Sequence, residues 1–346
     1  MTALGEVLET ARRAQGLTQA DLAEQAGVTQ AALSRYENDL REPEPEVLDR
    51  LANALGVTTD FLRHAGRARG SMALDAHMRR RQTAPPGVWR QLEARLNLYR
   101  WHLTHLFEEV TISAEQHVPT FDLLDVTPED AARFVRAQWR MPAGPVRHLI
   151  AWLEAAGCIV IADEFGTSRV DGLSQWIGDH PVILFNSAMP PDRVRLTLAH
   201  ELGHLALHSD ALGVDDVEAQ ANAFAGEFLM PAEFVRPRLR NAKAAHLLDL
   251  KVEFGVSMQA LVERSWHLGL LSQSQRVSTY KMLSARGWRT REPRSEDIPV
   301  ERPSLPATIA QGLAARGLSP AEIAKIVGVA DAARNTLVQM PGLRAV

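Results

Sequence analysis

Apolar positions in the first 66 residues recur at helical rather than strand spacing. Leu4, Val7, Leu8 and Ala11 stripe one face of a first helix, the spacing that turns side chains towards a common core. Gly16 ends that helix, Thr18 is placed to cap a second running to Ala26, and Gly27-Val28-Thr29 turns the chain into a third, Gln30 to Asn38. Pro43 and Pro45 open a fourth, Glu46 to Leu55, and Thr59-Asp60-Phe61-Leu62 begins a fifth. Two short helices joined by a glycine turn inside a small bundle form a helix-turn-helix pattern.

Residues 88–140 read as helical, broken at Pro119 and restarted at Thr127-Pro128-Glu129-Asp130, a cap, a proline and two acids suited to a helix start. A helix from Val146 to Ala156 ends at Gly157, and three strands follow: Cys158–Ala162, Ser168–Trp176 and Pro181–Phe185. Asn186 to Pro191 turn the chain into a helix with Val194, Leu198, Leu202, Leu205 and Ala206 at helical spacing. A second helix follows from Glu218, apolar at Ala221, Phe224, Ala225 and Phe228. Leu247 to Phe254 and Met258 to Leu268 form another helix pair around Gly255. Trp266 and Trp288 are expected in the core. Residues 291–306, rich in charge and proline, read as a linker, and 307–336 as a small helical pair started by the capping sequence Ser319-Pro320-Ala321-Glu322. The fold class expected is mainly α with a small β-sheet: a helix-turn-helix bundle, an α+β domain and C-terminal helices.

Composition narrows the class. The 346 residues are 46% hydrophobic, enough for two or three domains with real cores. No apolar run approaches the ~18 residues of a membrane span and no signal peptide is indicated. One cysteine, Cys158, excludes an internal disulfide and suits a reducing compartment, so a cytoplasmic location is expected. The net charge of −4 is too small to name a partner, but it is unevenly distributed. Residues 1–66 hold six Arg against eleven Asp and Glu, whereas 67–100 hold eight Arg (Arg67, Arg69, Arg79, Arg80, Arg81, Arg90, Arg95, Arg100) against Asp75 and Glu93. That second stretch is either a solvated connector or a basic arm for phosphates.

The chemistry centres on Thr197 to His208. His200 and His204 are four apart, so a helix stacks them one turn above the other and can aim both at one ion. Glu201 lies about 100° round that helix, where a carboxylate reaches water without ligating. The plain alternative is an amphipathic helix with two surface histidines. Residues 196–207, however, carry almost no polar side chain besides the motif and Thr197, and ionisable groups on so apolar a helix need a partner. A catalytic zinc takes three protein ligands and leaves a fourth position to water. Glu218 is the chosen third ligand, with Asn222 one turn on to accept a ring N–H; Asp215, Asp216 and Glu227 compete for the role. His208 drifts about 40° off the line of the other two histidines, and is taken either as a partly buried helix-end histidine or as a catalytic group polarising the substrate. The strand Pro181–Asn186 is expected to offer an edge to a substrate peptide.

Two resemblances sharpen this. Leu17-Thr18-Gln19-Ala20-Asp21-Leu22-Ala23, Gly27-Val28-Thr29-Gln30 and Leu33-Ser34-Arg35-Tyr36-Glu37-Asn38 resemble the Xre/Cro/CI family of DNA-binding domains. The resemblance implies that Gln30, Ala31 and Arg35 face base edges of an operator, that Gln19 and Asn38 hold phosphates, and that Ser34 assists. Asp192 to His204, Glu218 with Asn222 and Phe224, and Leu229-Met230-Pro231 resemble the ImmA/IrrE metallopeptidases, associated with cleavage of repressors; so do 170–174, 181–186 and 283–289. Gln220 departs from that pattern, where many relatives place a second Glu. This likeness implies Zn2+ on His200, His204 and Glu218, with Glu201 as catalytic acid and base.

The expected domains are 1–66 helix-turn-helix, 67–125 helical basic linker, 126–235 zincin-like metallopeptidase, 236–290 its C-terminal helical part, and 291–346 a linker with a small helical segment. The expected function is transcriptional regulation by DNA binding combined with zinc endopeptidase activity. A repressor of Xre-type fold, or the chain itself, would be cut in a stress response, and a homodimer and no membrane are expected. The alternative is a non-proteolytic regulator, or antitoxin-like protein, whose zinc site is structural or sensory.

Overall fold

Three threonines set the helix starts of the N-terminal bundle: Thr18, Thr29 and Thr58 accept the backbone N–H of Asp21, Ala32 and Phe61. The computed structural model describes residues 4–65, 86–208, 216–240, 243–335 and 337–338. The bundle contains α1 (Leu4–Ala14), α2 (Gln19–Ala26), α3 (Gln30–Glu37), α4 (Pro45–Leu55) and α5 (Thr59–His64). Gly27, at φ 64°, ends α2 in the left-handed region and makes the turn into α3. Leu8, Leu22, Leu33, Leu51 and Phe61 are buried in one core. Inside it Arg12 and Glu37 form a two-pronged ion pair of 2.6 and 2.8 Å, tying α1 to α3.

A long helix, α6 (Pro86–Glu109), belongs to the same unit and buries Leu92, Leu96, Trp101 and Leu103. Its sequence reads as a charged connector, but Trp101 packs with the bundle core. Of the eight arginines in the basic stretch, Arg67, Arg69, Arg79, Arg80 and Arg81 lie outside the described residues. Arg95 donates to the carbonyl of Ala14, and burial lowers the pKa of Arg100. Arg90 is exposed.

The second unit spans residues 114–303 among those described. In order it has α7 (Pro128–Gln138), α8 (Leu149–Ala155), β1 (Ile159–Asp163), β2 (Gly172–Ile177), β3 (His180–Asn186), α9 (Pro191–Leu207) and α10 (Val217–Leu229). Then come α11 (Ala232–Leu239), α12 (Ala244–Phe254), α13 (Met258–His267) and α14 (Gln273–Ala285). The sheet order is β1-β3-β2, with β3 parallel to β1 and antiparallel to β2. The expectation that Pro181–Asn186 offers a free edge is therefore corrected. Those apolar residues sit at the centre of the sheet and are paired on both sides, as a strand buried on all sides requires.

Helix α9 is the axis of this unit, buried along almost its whole length from Asp192 and packed against β2, β3 and α10. Two glycines permit the close approaches. A Cβ on Gly172 would lie 2.6 Å from Cγ2 of Thr197, and one on Gly203 would lie 3.2 Å from the carbonyl oxygen of Ala221. The first turn of α9 is fixed by charge. Lys251, with no exposed surface, donates to Asp192 (2.6 Å), Glu292 (2.8 Å) and Ser295 (2.9 Å). Arg195 donates to the carbonyl of Gly255 and pairs with Glu301. The stretch read as a linker from its charge and proline is thus, up to residue 303, part of this unit. Its carboxylates are the counter-charges that two buried cations need.

The chain then returns to the first unit as α15 (Leu305–Ala315) and α16 (Pro320–Ile326), the latter opened by a complete Ser319/Glu322 capping box. Val329 bridges to Val57, and Thr58 donates to the carbonyl of Gly328 at 2.9 Å. Mainly helical, with one three-stranded sheet among the described residues, the chain has the expected fold class. Among the described residues no helix is long and apolar enough to cross a membrane.

Candidate functional site

Helical spacing on α9 puts the rings of His200 and His204 4.7 Å apart and nearly perpendicular, with their Nε2 atoms 3.0 Å from one another. Glu218 comes from the first turn of α10. Its two oxygens lie 3.6 Å from Nε2 of His200 and 3.5 Å from Nε2 of His204. These donors all fall within 4.8 Å of each other. Tetrahedral ligands at about 2.1 Å from an ion stand about 3.4 Å apart. The observed 3.0 to 3.6 Å are close to the separations that a single small divalent cation needs. Both imidazoles are buried, while the Glu218 side chain is 42% exposed, so the set is open on the carboxylate side.

Hydrogen bonds dictate which ring nitrogens keep their lone pairs. Oδ1 of Asn222 lies 3.0 Å from Nδ1 of His200. An amide oxygen only accepts, so Nδ1 carries the proton and Nε2 of His200 is left basic. On the other histidine the path is longer. Oε1 of Gln220 lies 2.8 Å from Nε2 of His208, whose Nδ1 is 3.1 Å from Nδ1 of His204. Gln220 accepts from His208, His208 accepts from His204, and Nε2 of His204 is left basic towards the ligand set.

This placement changes the reading of His208. It has no exposed surface and both its ring nitrogens are engaged, so it does not face a substrate. Burial holds it neutral, lowering its pKa to about 4 against the opposing pull of Gln220. The structure places it behind His204, between that ring and Gln220, the buried helix-end position and not the substrate-facing one.

Glu201 turns towards β2, where the hydroxyl of Ser174 donates to Oε2 at 2.7 Å. Gly172, Ser174 and Trp176 share the strand face that meets α9: a Cβ on Gly172 would come 3.2 Å from Oε1 of Glu201, and Nε1 of Trp176 donates to the carbonyl of Leu205. Ser174 and the role of Gln220 escaped sequence reasoning. The signal for Ser174 was a small-x-hydroxyl-x-aromatic alternation within a strand. Among the competing carboxylates, Glu227 is buried against Arg264 and Arg133. Asp216 precedes α10 in the left-handed region at φ 63°, and Asp215 lies outside the described residues.

A second candidate face lies on α3. Gln30, Ala31 and Arg35 are exposed and Ser34 is half-buried beside them, while Leu33, Tyr36 and Glu37 are buried on the opposite side. Asn38 is exposed and its amide donates to the carbonyl of Ser34 at 2.7 Å. Gln19 is set apart: its amide donates to Glu37 at 2.8 Å and joins the pair that this residue makes with Arg12.

Comparison with known proteins follows the same division. Residues 153–265 match a peptidase family whose model is described as the IrrE N-terminal-like domain, and residues 8–62 match a helix-turn-helix family. A stretch of 93 residues is 41% identical to the radiation response metalloprotease IrrE of Deinococcus radiodurans, covering 25% of this chain and 26% of that protein. The protein of the same name from Deinococcus deserti is 32% identical over 128 residues, 33% of this chain and 39% of its own length. The HTH-type transcriptional regulator ImmR of Bacillus subtilis is 41% identical over 59 residues, 17% of this chain and 46% of its own length. The chain thus spans between about a quarter and a half of these relatives. No solved structure gives a significant match.

Proposed function

We propose that this chain, which joins a helix-turn-helix domain to an IrrE N-terminal-like domain, is a cytoplasmic DNA-binding regulator carrying a zinc endopeptidase. The protein it cuts is a repressor of Xre-type fold or the chain itself, in a stress response. The observation that carries the reading is the convergence of two lone-pair-bearing Nε2 atoms and one carboxylate at separations of 3.0 to 3.6 Å.

His200, His204 and Glu218 hold the ion. Zinc so bound supplies Lewis acidity and shifts the pKa of water towards about 7. Glu201 takes the proton of the attacking water and returns it to the leaving amine. Ser174, by donating to Oε2, holds the carboxylate in place against β2. Asn222 and the Gln220–His208 pair keep the ligand imidazoles oriented. A substrate peptide adds as a strand to β2, an outer strand of the sheet that also carries Ser174. The exposed face of α3 reads the operator, with Gln30 suited to adenine and Arg35 to guanine, and two copies suit a palindromic site.

The test is purified full chain, loaded with zinc, incubated with a purified Xre-type repressor and with the chain alone, then analysed by mass spectrometry. Zinc-dependent fragments are expected, and none from a Glu201→Gln variant that retains its metal. Absence of fragments in wild type, with zinc bound, points instead to a structural or sensory site.

A further inference from the structure

Residues 273–291 contain Arg276, Lys281, Arg286, Arg289 and Arg291 and no Asp or Glu, in a chain whose net charge is −4. They cover α14 and the turns after it, and the only buried side chain of that helix is Leu283. Hydrophobic burial therefore does not explain why this helix is basic. Nor does ion pairing. Glu263 is engaged by Arg276 and by the hydroxyl of Tyr280, while Glu292 beyond the stretch is committed to Lys251. Lys281, Arg286, Arg289 and Arg291 are exposed, and none of the four has an ion-pair partner among the described residues.

Aromatic rings hold the guanidinium groups of this surface. Arg289 lies 4.8 Å above the ring of Tyr280, Arg286 4.8 Å above Trp288, and Arg276 4.6 Å above Trp266. Of the two tryptophans expected in the core, Trp288 is half-buried and packs against it, whereas Trp266 is exposed; each lies beneath one of these cations. A stacked guanidinium keeps its N–H edges outward and has already lost side-chain freedom, so it can grip an anion at little further entropic cost. Hydroxyls of Ser278, Ser284 and Thr290 are interleaved with the cations. Arg, Lys, Ser and Thr in one patch are the groups that contact nucleic-acid phosphates.

The helix-turn-helix domain needs such help. Residues 1–66 carry six Arg against eleven acids, and Arg12 and Arg13 are paired with Glu37 and Glu9. Phosphate neutralisation supplies most non-specific affinity, and this domain has little to offer it. We propose that the basic face formed by Lys281, Arg286, Arg289 and Arg291 is a second nucleic-acid contact, on the peptidase unit, which binds the phosphate backbone of double-stranded DNA. It rests on the DNA-binding reading above, and assigns to this unit the electrostatic part of the affinity and to α3 the sequence-reading part.

The experiment measures binding of full chain to a duplex from its own promoter and to a scrambled duplex, by fluorescence anisotropy over a salt series. Wild type is compared with Lys281→Gln/Arg286→Gln/Arg289→Gln/Arg291→Gln and, separately, with Gln30→Ala/Arg35→Ala. At about 0.9 per phosphate, loss of four contacts reduces the slope of log K against log salt by about 3 to 4 on both duplexes. The affinity ratio of wild type to the quadruple variant then widens about 100-fold between ~200 and ~50 mM salt. The α3 variant is expected to lose only its preference for the promoter duplex. Unchanged melting temperature and zinc content establish that the quadruple variant is folded. Equal salt slopes in wild type and quadruple variant overturn this inference and leave the DNA-binding reading standing. No duplex binding by wild type at low salt overturns both. Tighter binding of the patch to single-stranded RNA or polyglutamate than to duplex assigns it to another partner and also overturns it.

Discussion

At the residue scale the sharpest feature is the path Gln220–His208–His204, because it decides where a proton sits on His204, one of the proposed ligands. Replacing Gln220 with Met removes the acceptor and is expected to weaken zinc binding about 10- to 100-fold in chelator competition. Gln220→Glu keeps an acceptor and is expected to hold affinity within a few-fold, a rescue that a merely structural role would not give. Equal loss in both variants would refute the relay. Another histidine predicts a pH effect. His102 is buried on α6 against the carbonyl of Val327, and burial lowers its pKa to about 4. Its folded value lies below the unfolded 6.5, so the unfolded chain takes up the extra proton between them. Stability is full above that window and falls as pH drops through it, by about 2 kcal/mol at pH ~5. Denaturant titration of wild type and His102→Leu at neutral and acid pH checks this: the wild type is expected to lose stability on acidification, the variant to lose much less.

At the element scale, α9 works because of what surrounds it. Ser174→Ala on β2 is expected to reduce kcat about tenfold with KM and zinc affinity little changed, since only the Glu201 carboxylate loses its anchor. A matching fall in zinc affinity would show that Ser174 supports the whole site instead. Lys251→Met leaves Asp192 and Glu292 buried without their cation, and is expected to cost about 3 to 5 kcal/mol in urea unfolding. The sequence revealed α9 and its motif readily, because both depend on local spacing: two histidines four apart in an apolar run, and a carboxylate on the next helix. Gly172 and Ser174 lie in a small-x-hydroxyl-x-aromatic alternation that by itself names no partner. Their meaning depends on β2 pairing with β3 and lying on α9, a contact between residues 27 apart in the chain. Residues 291–303 misled for a related reason: their acids look solvated until Lys251 and Arg195 are seen buried against them.

At the scale of the whole molecule, composition foreshadowed two kinds of domain but not their chain assignment. The segment after residue 303 packs with the first unit, through Val57 with Val329 and His102 with Val327, pairings that no local pattern encodes. The charge asymmetry was visible from the outset, whereas the pairing of Arg12 and Arg13, and the lack of ion-pair partners for Lys281, Arg286, Arg289 and Arg291 among the described residues, required coordinates.

The central claim is that His200, His204 and Glu218 hold one metal ion beside a working Glu201. Its most direct test is elemental analysis of the purified full chain, read together with cleavage by the same samples. One zinc per chain is expected in wild type and in Glu201→Gln, with fragments produced only by wild type. His204→Ala and Glu218→Ala are expected to lose the metal. Zinc retained at wild-type affinity in Glu218→Ala, or cleavage persisting in Glu201→Gln, would contradict it.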